Sequence, residues 1–338
     1  MKKLHIPFFL ILILLSVSLY GCRGSASLAD TTFFSMDTVI TLRLPQDTAP
    51  DVRNACIDEV ERLDALFSRT APDSMTARFR KAETSLEVSD EYRTVLEKAL
   101  SVSAATGGAF DPTLAPLTEL WNITGETPEI PSSAAVEAAL AETGFERLSV
   151  DGNTVTKAFP ALSLDLGGCA KGYACEQAVR LLQNEGIPYG IVSFGGNIGV
   201  FGEKPDGTPW RVGVRDPDSA DGVAGYLSME SGFLSISGDY ERYFERDGVR
   251  YHHIFDRETG YPARSGVRSA AVWAEDGCIA DALSTAVFVM GWEKTLSLYE
   301  SGTFSFEALL YCGDGTTHLT PGLSARYEHA SGTFAPPR

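Results

Sequence analysis

The sequence predicts an α+β fold. Three observations carry the prediction: short runs rich in β-branched and apolar residues, intervening segments whose apolar residues recur at helical spacing, and hairpin-like glycine turns without strict strand–helix alternation.

The elements follow in order. Phe33 to Leu44 reads as one strand, closed by a Pro45–Pro50 turn region. Val52, Cys56, Leu63, Leu66 and Phe67 then recur at helical spacing. A second helix is expected over Asp90–Ala105, with Tyr92, Val95, Leu96 and Ala99 on its apolar side and Gly107-Gly108 ending it. Residues 109–131 read as a long irregular segment, the kind that is functional or held by its own packing. Ser132 or Ser133 caps a helix reaching about Thr143, and short strands are expected around Leu148–Val150, Thr154–Thr156 and Leu162–Asp165. Gly167-Gly168 then turns into a helix from about Ala170 to Asn184. Gly190–Phe194 and Ile198–Phe201 form a hairpin about Gly195-Gly196-Asn197. Trp210–Val214, Gly225–Met229 and Phe233–Ile236 are further strands, and Asp281 to about Met290 is an apolar core helix.

The N-terminus has its own logic. Met1-Lys2-Lys3, an apolar stretch from Ile6 to Leu19, and Gly21-Cys22 make a charged region, an apolar region and a small residue at a cut. The stretch is short of the ~20 residues a membrane span needs. It resembles a bacterial lipobox, which places a signal peptide at residues 1–21, a diacylglycerol anchor on Cys22 and the mature chain on the extracytoplasmic face of the cell membrane. Residues 23–31 are small and polar and suit a flexible tether.

Removing residues 1–21 takes away Lys2 and Lys3 and no acid, so the formal charge moves from −17 to −19. Nucleic acid and anionic lipid surfaces are therefore excluded as general partners, while an anionic ligand remains possible at a local site of backbone N–H groups, a few cations or a metal. The remaining chain is long enough to bury a substantial core, in one large domain or two. Cys22 aside, Cys56, Cys169, Cys175, Cys278 and Cys312 have no CxxC spacing, so buried thiols are expected and neither a disulfide framework nor a zinc site is.

Three clusters carry chemistry. In Asp165-Leu-Gly-Gly168-Cys-Ala-Lys171-Gly-Tyr173 the glycines expose backbone, the helix start offers unpaired N–H groups and Lys171 adds a mobile cation. This suits phosphate, and equally a tight structural turn; the glycine spacing is neither Walker nor Rossmann. In the second cluster Asp281 and Thr285 lie four apart on one helix face, hard oxygen donors for Mg²⁺, unless Asp281 is merely the N-cap of a core helix. The third is Tyr251-His252-His253-Ile254-Phe255-Asp256 through Pro262, preceded by Ser235-Ile-Ser237-Gly238-Asp239-Tyr240. Adjacent histidines in a strand point apart, so one faces a site for proton transfer and the other is structural.

Together these clusters resemble the ApbE family of flavin transferases. The likeness covers nearly all of residues 33–312, adding Phe34-Ser-Met36-Asp37-Thr38, Phe67-Ser68 with Pro72-Asp73-Ser74, and Gly107-Gly108-Ala109-Phe110-Asp111-Pro112-Thr113. Pro116-Leu117, Leu120-Trp121, Ser193-Phe-Gly195-Gly196-Asn197 and Trp210 also fall in order.

The resemblance implies one T-fold-related domain over residues 32–330, with mixed and antiparallel sheets and packed helices. It implies a Mg²⁺-dependent lipoprotein enzyme that moves FMN from FAD to a threonine or serine of an exported or membrane-associated acceptor protein, releasing AMP. On the matching positions, Met36, the backbone of Ala109-Phe110-Asp111, Asp165, Lys171 and His253–Ile254 would line the FAD site. Gly168 through its carbonyl, Asp281 and Thr285 would hold Mg²⁺, and His253 would be the base. Thr70, Arg80, Arg257 and Ser284 depart from the family pattern, standing where tyrosine, asparagine, proline and an acid are found in relatives. The family's acceptor motif, Asp-Gly-x-Ser/Thr-Gly-Ala-Ser/Thr, is absent, since Val155-Thr156 breaks the start made by Asp151-Gly152-Asn153-Thr154. With water as nucleophile the same site would be an FAD pyrophosphatase, and without turnover it would be an FAD-binding lipoprotein.

Overall fold

The apolar run expected as one strand folds back on itself. β1 (Leu28–Ser35) and β2 (Thr38–Pro45) pair antiparallel with Ser35 opposite Thr38. Between them Met36 and Asp37 both take left-handed backbone, with φ of 51° and 57°, the two-residue turn that matches strand twist. The structure, a computed structural model, describes residues 27–219 and 221–330. Cys22 and the signal segment lie outside them. Leu28–Thr31, expected as tether, belong to β1, because they continue the ladder with β2 out to Pro45.

α1 (Pro50–Phe67) opens on a proline and buries Cys56, Val60, Leu63 and Phe67. Two short elements not anticipated follow: α2 (Met75–Lys81), capped by Ser74 on the Ala77 N–H, and β3 (Ser85–Glu87). α3 (Asp90–Ala105) has the expected bounds, with Ser89 as its cap. The segment expected to be irregular contains α4 (Ala115–Trp121), again entered through a proline. α5 (Ser133–Ala141) starts from Ser132, and β4 (Leu148–Asp151) and β5 (Thr154–Lys157) make a hairpin that β3 joins in the order β3-β5-β4. Leu162–Asp165 is not a strand. Its leucines are buried, but the extended chain joins no sheet and is held instead by the Asp165 N–H donating to the Pro112 carbonyl at 2.7 Å.

α6 (Ala170–Asn184) runs as expected, followed by β6 (Gly190–Phe194), β7 (Asn197–Phe201), β8 (Trp210–Arg215), β9 (Val223–Met229) and β10 (Gly232–Gly238). Then come β11 (Tyr243–Arg246), β12 (Val249–His252) and β13 (Val267–Ala274). α7 (Gly277–Ser301) extends past the expected segment at both ends and is interrupted at Gly291, with φ 75° and ψ −179°. β14 (Phe306–Cys312), β15 (Thr317–Leu319), α8 (Pro321–Ser324) and β16 (Tyr327–His329) complete the fold.

The main sheet has eight strands, all paired antiparallel, in the order β1-β2-β6-β7-β10-β13-β14-β15. The central strands are covered on both faces, while β1 and β2 leave Phe34 and Val39 exposed, and strand alternation sorts the side chains between the faces. Phe233, Ala270 and Leu310 point to the helices, while Leu234, Ala271 and Leu309 pack against the small sheet β16-β9-β8. α6 and α7 lie on the helical face and touch each other. α7 is buried nearly all round as far as Phe288, where the sheet takes one side and other helices the rest, and beyond Gly291 it exposes Glu293, Lys294 and Glu300. A satellite cluster of Leu117, Trp121, Val136 and Phe255 ties α4 to the chain after β12, where the Trp121 indole N–H donates to the Gly260 carbonyl at 2.9 Å.

One buried cation holds the segment that leads into the site. Lys157 is 3% exposed, and its ammonium reaches the carbonyls of Phe79, Arg80, Pro160 and Leu162 at 2.7–3.2 Å. Lys157→Met leaves those carbonyls without their donor, and we expect urea unfolding to show a loss of about 3 kcal/mol. An unchanged midpoint would mean that solvent reaches the carbonyls.

Candidate active site

The turn before α6 is built by its own carboxylate. Asp165 Oδ1 accepts the Gly167 N–H at 2.9 Å, and the Leu166 carbonyl accepts the N–H groups of Cys169 and Ala170 at 3.0 and 2.8 Å. Lys171 folds back so that its Nζ donates to the Gly167 carbonyl. Arg69, which the sequence reading did not single out, lies 3.5 Å from Asp165 and 3.3 Å from Glu119. Arg80, one of the departures, also pairs with Glu119, so these two arginines share one carboxylate.

Asp281 is not a helix cap. The cap of α7 is Asp276, whose side chain accepts the Ile279 N–H at 3.0 Å, and Asp281 sits one turn further in and 5% exposed. Its Oδ2 accepts the Gly172 N–H at 2.9 Å. Burial raises its carboxyl above the usual carboxylate range, against the opposing pull of the Lys171 charge, the Gly172 N–H and the Asn197 amide. The bond across to Gly172 exists because α6 and α7 cross glycine on glycine: a Cβ on Gly172 would stand 2.0 Å from the Gly277 carbonyl oxygen.

Beside Asp281 stand three hydroxyls. Ser237 Oγ, on β10, is 2.8 Å from Ser284 Oγ and 3.4 Å from Thr285 Oγ1, and Ser284 donates to the Asp281 carbonyl at 2.8 Å. Gly168 closes the group, since a Cβ placed on it would be 3.5 Å from Thr285 Oγ1 and 3.0 Å from the Phe110 ring. One carboxylate, hydroxyl oxygens and a glycine backbone form a hard donor set suited to Mg²⁺. Among the described residues no three His, Cys, Asp or Glu side chains gather as a metal cage, so an ion here would take part of its shell from elsewhere.

The two histidines separate cleanly. His252 ends β12, buried, with Nε2 on the Ala263 carbonyl at 3.1 Å and Nδ1 accepting the Ile254 N–H at 3.3 Å, and burial pushes it down to about 4. His253 lies just past the strand. Its backbone N–H and its Nδ1 both point to the Arg242 carbonyl, at 3.1 and 3.3 Å. A carbonyl only accepts, so Nδ1 carries the proton and Nε2 keeps its lone pair. Burial first, then the Arg242 charge, His252 and Lys171, hold His253 down to about 3. Arg242 also reaches the Asp37 carbonyl at 3.4 Å, which ties His253 to the hairpin turn at Met36.

The remaining expected lining residues are held rigidly. The Met36 N–H donates to Asp64 at 2.9 Å. Phe110 and Ile254 are buried. The Asp111 carboxylate is committed inward, to the Thr113 N–H at 2.8 Å, the Thr113 hydroxyl at 2.6 Å and the Phe145 N–H at 3.2 Å, and the N–H groups of Ala109 and Phe110 are bonded to Thr106 at 3.3 and 3.5 Å. Arg257 spans Asp111 and Glu146 at 3.6 and 2.9 Å and lies across Gly108. Thr70 turns its hydroxyl to Ser68. Asn197, quoted in the sequence only as part of a turn, is in β7, where the Ser235 hydroxyl donates to its Oδ1 at 2.5 Å while it bonds Asp281. A separate hollow lined by Asp47, Thr48, Glu185 and Tyr189 contains none of these residues.

The model of the ApbE family matches residues 36–310. A FAD:protein FMN transferase of Vibrio cholerae is 33% identical over 328 residues, covering 94% of this chain and 95% of that protein. One of Treponema pallidum is 34% identical over 267 residues, covering 72% and 74%. Among solved structures, the ApbE protein of Thermotoga maritima superposes with a TM-score of 0.82 at 34% identity, covering 89% of this chain and 99% of that one. The flavin transferase ApbE of Vibrio cholerae superposes at 0.80 and 28%, with the same coverage.

Proposed function

Because this chain belongs to the ApbE family, we propose that it is a FAD:protein FMN transferase. The observation that supports this best is the meeting of the Lys171 cation, a hard-oxygen pocket and an imidazole whose Nε2 keeps its lone pair around one backbone turn. The hydroxyl of an acceptor threonine or serine attacks the FMN-side phosphorus of FAD. A P–O bond forms to the acceptor, the bond to the bridging oxygen breaks, and AMP leaves with that oxygen.

Lys171, at the start of α6, holds the diphosphate, and Met36 with residues 109–111 and His253–Ile254 flank the dinucleotide. Asp281, Thr285 and the Gly168 carbonyl would hold Mg²⁺, which would supply neutralisation of the diphosphate and of the leaving phosphate. His253 Nε2 takes the acceptor proton.

His253 supplies a pH prediction. A histidine at its ordinary value would be protonated and inactive as a base below about pH 6.5. Held to about 3 in the free protein, it stays neutral across that range. The pH profile of kcat/KM is therefore expected to run flat through neutrality on its acid side, and His253→Ala is expected to lower the rate by roughly 10²-fold. An acid limb centred near the ordinary histidine value, abolished in His253→Ala, would show that burial does not control the ring.

The reading is tested by incubating the purified domain with FAD, Mg²⁺ and a tagged protein carrying Asp-Gly-x-Ser/Thr-Gly-Ala-Ser/Thr. Covalent flavin fluorescence with release of AMP is expected. Free FMN and AMP without labelling would identify a pyrophosphatase, and no AMP at all would refute both enzymatic readings. We place the enzyme at the extracytoplasmic face of the cell membrane, anchored through lipid on Cys22 after removal of residues 1–21. Incorporation of labelled fatty acid that is lost in Cys22→Ala tests this, and label retained in the variant would refute it.

A further inference from the structure

One edge of the main sheet ends beside the active site. β1 is the first strand in the order of eight, so only its inner side is paired, to β2. The two-residue turn at Met36-Asp37 makes Ser35 and Thr38 a hydrogen-bonded pair, and such pairs alternate along an antiparallel ladder. Thr31 and Phe33 therefore turn their backbone groups toward β2, whereas those of Asp30, Thr32 and Phe34 point outward. The side chains agree, since the positions not hydrogen-bonded are the closely spaced ones: Thr32 Oγ1 lies 3.4 Å from Thr41 Oγ1, and Arg43 holds Asp30 at 2.7 Å. Among the described residues the outward N–H and C=O groups of Asp30, Thr32 and Phe34 have no partner.

Proteins blunt a free edge with charge, proline or a covering segment. On β1 the charge sits at the far end, on Asp30, and the end nearest the site has the opposite character. Phe34 and Val39 face each other across the ladder, 68% and 56% exposed, the two most exposed large apolar side chains among the described residues. Tyr243, also exposed, follows Arg242, whose guanidinium reaches the Asp37 carbonyl at 3.4 Å and whose own carbonyl holds His253. An unpaired edge and an apolar tip thus converge on the imidazole.

We propose that this edge receives the acceptor protein: an extended acceptor segment pairs with β1 at Thr32 and Phe34 as an added strand, packs apolar side chains on Phe34 and Val39, and so brings its hydroxyl to His253. The inference rests on the flavin-transfer reading. The occupant is the acceptor because it is the macromolecule that must present a residue at this turn, and the surface runs without a break into the site of transfer. The length fits, since at about 3.3 Å per residue roughly three or four residues beyond Phe34 carry an extended chain past Met36-Asp37. Backbone pairing supplies affinity without dictating side chains, and the apolar tip supplies the preference.

The tagged acceptor described above is the probe, with its KM and kcat read from covalent labelling by the purified chain and FAD affinity read separately by flavin fluorescence. Thr32→Pro removes one outward N–H and spares the bonds between β1 and β2. Phe34→Glu places a charge on the tip. Each is expected to raise the acceptor KM by roughly tenfold while kcat at saturating acceptor and FAD affinity keep their parental values. Amide exchange at Thr32 and Phe34 is expected to slow when acceptor is added. Val39→Glu reads the same patch from β2 and does not depend on a proline being accommodated in β1. A parental acceptor KM in both Phe34→Glu and Val39→Glu overturns the inference. So does a dimer of this chain that dissociates in Phe34→Glu at unchanged acceptor KM, which gives the edge to a second copy. If the parent labels acceptor in those cases, the transferase reading stands and this inference alone falls. If the parent neither labels acceptor nor releases AMP, both fall.

Discussion

Asp281→Asn is expected to lower AMP release by about 10³-fold, the scale on which a lost metal ligand or electrostatic contact slows phosphoryl chemistry. The same change is expected to leave the fold intact or to stabilise it. Burial already disfavours the ionised carboxylate, whose carboxyl is raised above the usual range, and an amide oxygen can still accept the Gly172 N–H. Activity and stability therefore move in opposite directions in one variant. AMP chromatography and a thermal melt on the same preparation measure both. Activity within tenfold of the parent, or a marked fall in melting temperature, would make Asp281 a structural residue.

Gly172→Ala is the second large effect, and it acts on folding. The added Cβ meets the Gly277 carbonyl oxygen at 2.0 Å and the Asp281 Cβ at 2.6 Å. The first obstacle is backbone, which cannot rotate aside as a long side chain would. The reverse clash is just as close, with a Cβ on Gly277 standing 2.4 Å from the Gly172 carbonyl. Separating α6 from α7 would open the core around Ala174, Cys278 and Ala282 and pull Asp281 from the turn at Gly168. A loss above about 4 kcal/mol is expected, seen as a collapse in soluble yield or in the urea midpoint. A variant that unfolds like the parent would show that the two helices have room to slide.

How far the sequence could be read depended on whether an element was specified locally. α3 and α6 were legible to the residue because apolar periodicity coincides with local start and stop signals. The β1–β2 hairpin was not, since Met36-Asp37 contains no glycine or asparagine to mark a left-handed turn. Leu162–Asp165 alternates like a strand, but burial of alternate leucines is satisfied by an extended segment outside any sheet. The ends of α7 were missed because its buried first half gives no period to follow and its second half is set off by the break at Gly291, and Asp276 is the cap that Asp281 had been a candidate to be.

In the site, Asp281, Thr285 and Lys171 were legible from helix spacing and from glycines beside a cation. Ser237 and Asn197 were not. Their meaning comes only from β10 and β7 lying against α7, and a serine on a strand carries no sign of the helix it will face. Arg69 is a similar case, since its partners Asp165 and Glu119 are brought to it by tertiary packing.

The order of strands in the main sheet has a kinetic consequence. β2 pairs with β6, Ile40 against Phe194, with all of α1 to α6 and the small β3-β5-β4 sheet lying between them in the chain. Closing so long a loop costs entropy before any contact repays it, so this pairing belongs to the slow part of folding. Met36 sits in the turn into β2, Lys171 opens the helix α6 that precedes β6, and His253 and Asp281 come later still. The nucleotide pocket is thus assembled from pieces that meet only once the sheet has closed. A ligand that needs all of them stabilises the completed fold selectively over its partly folded precursors, and FAD would act as a thermodynamic latch on the last step of folding.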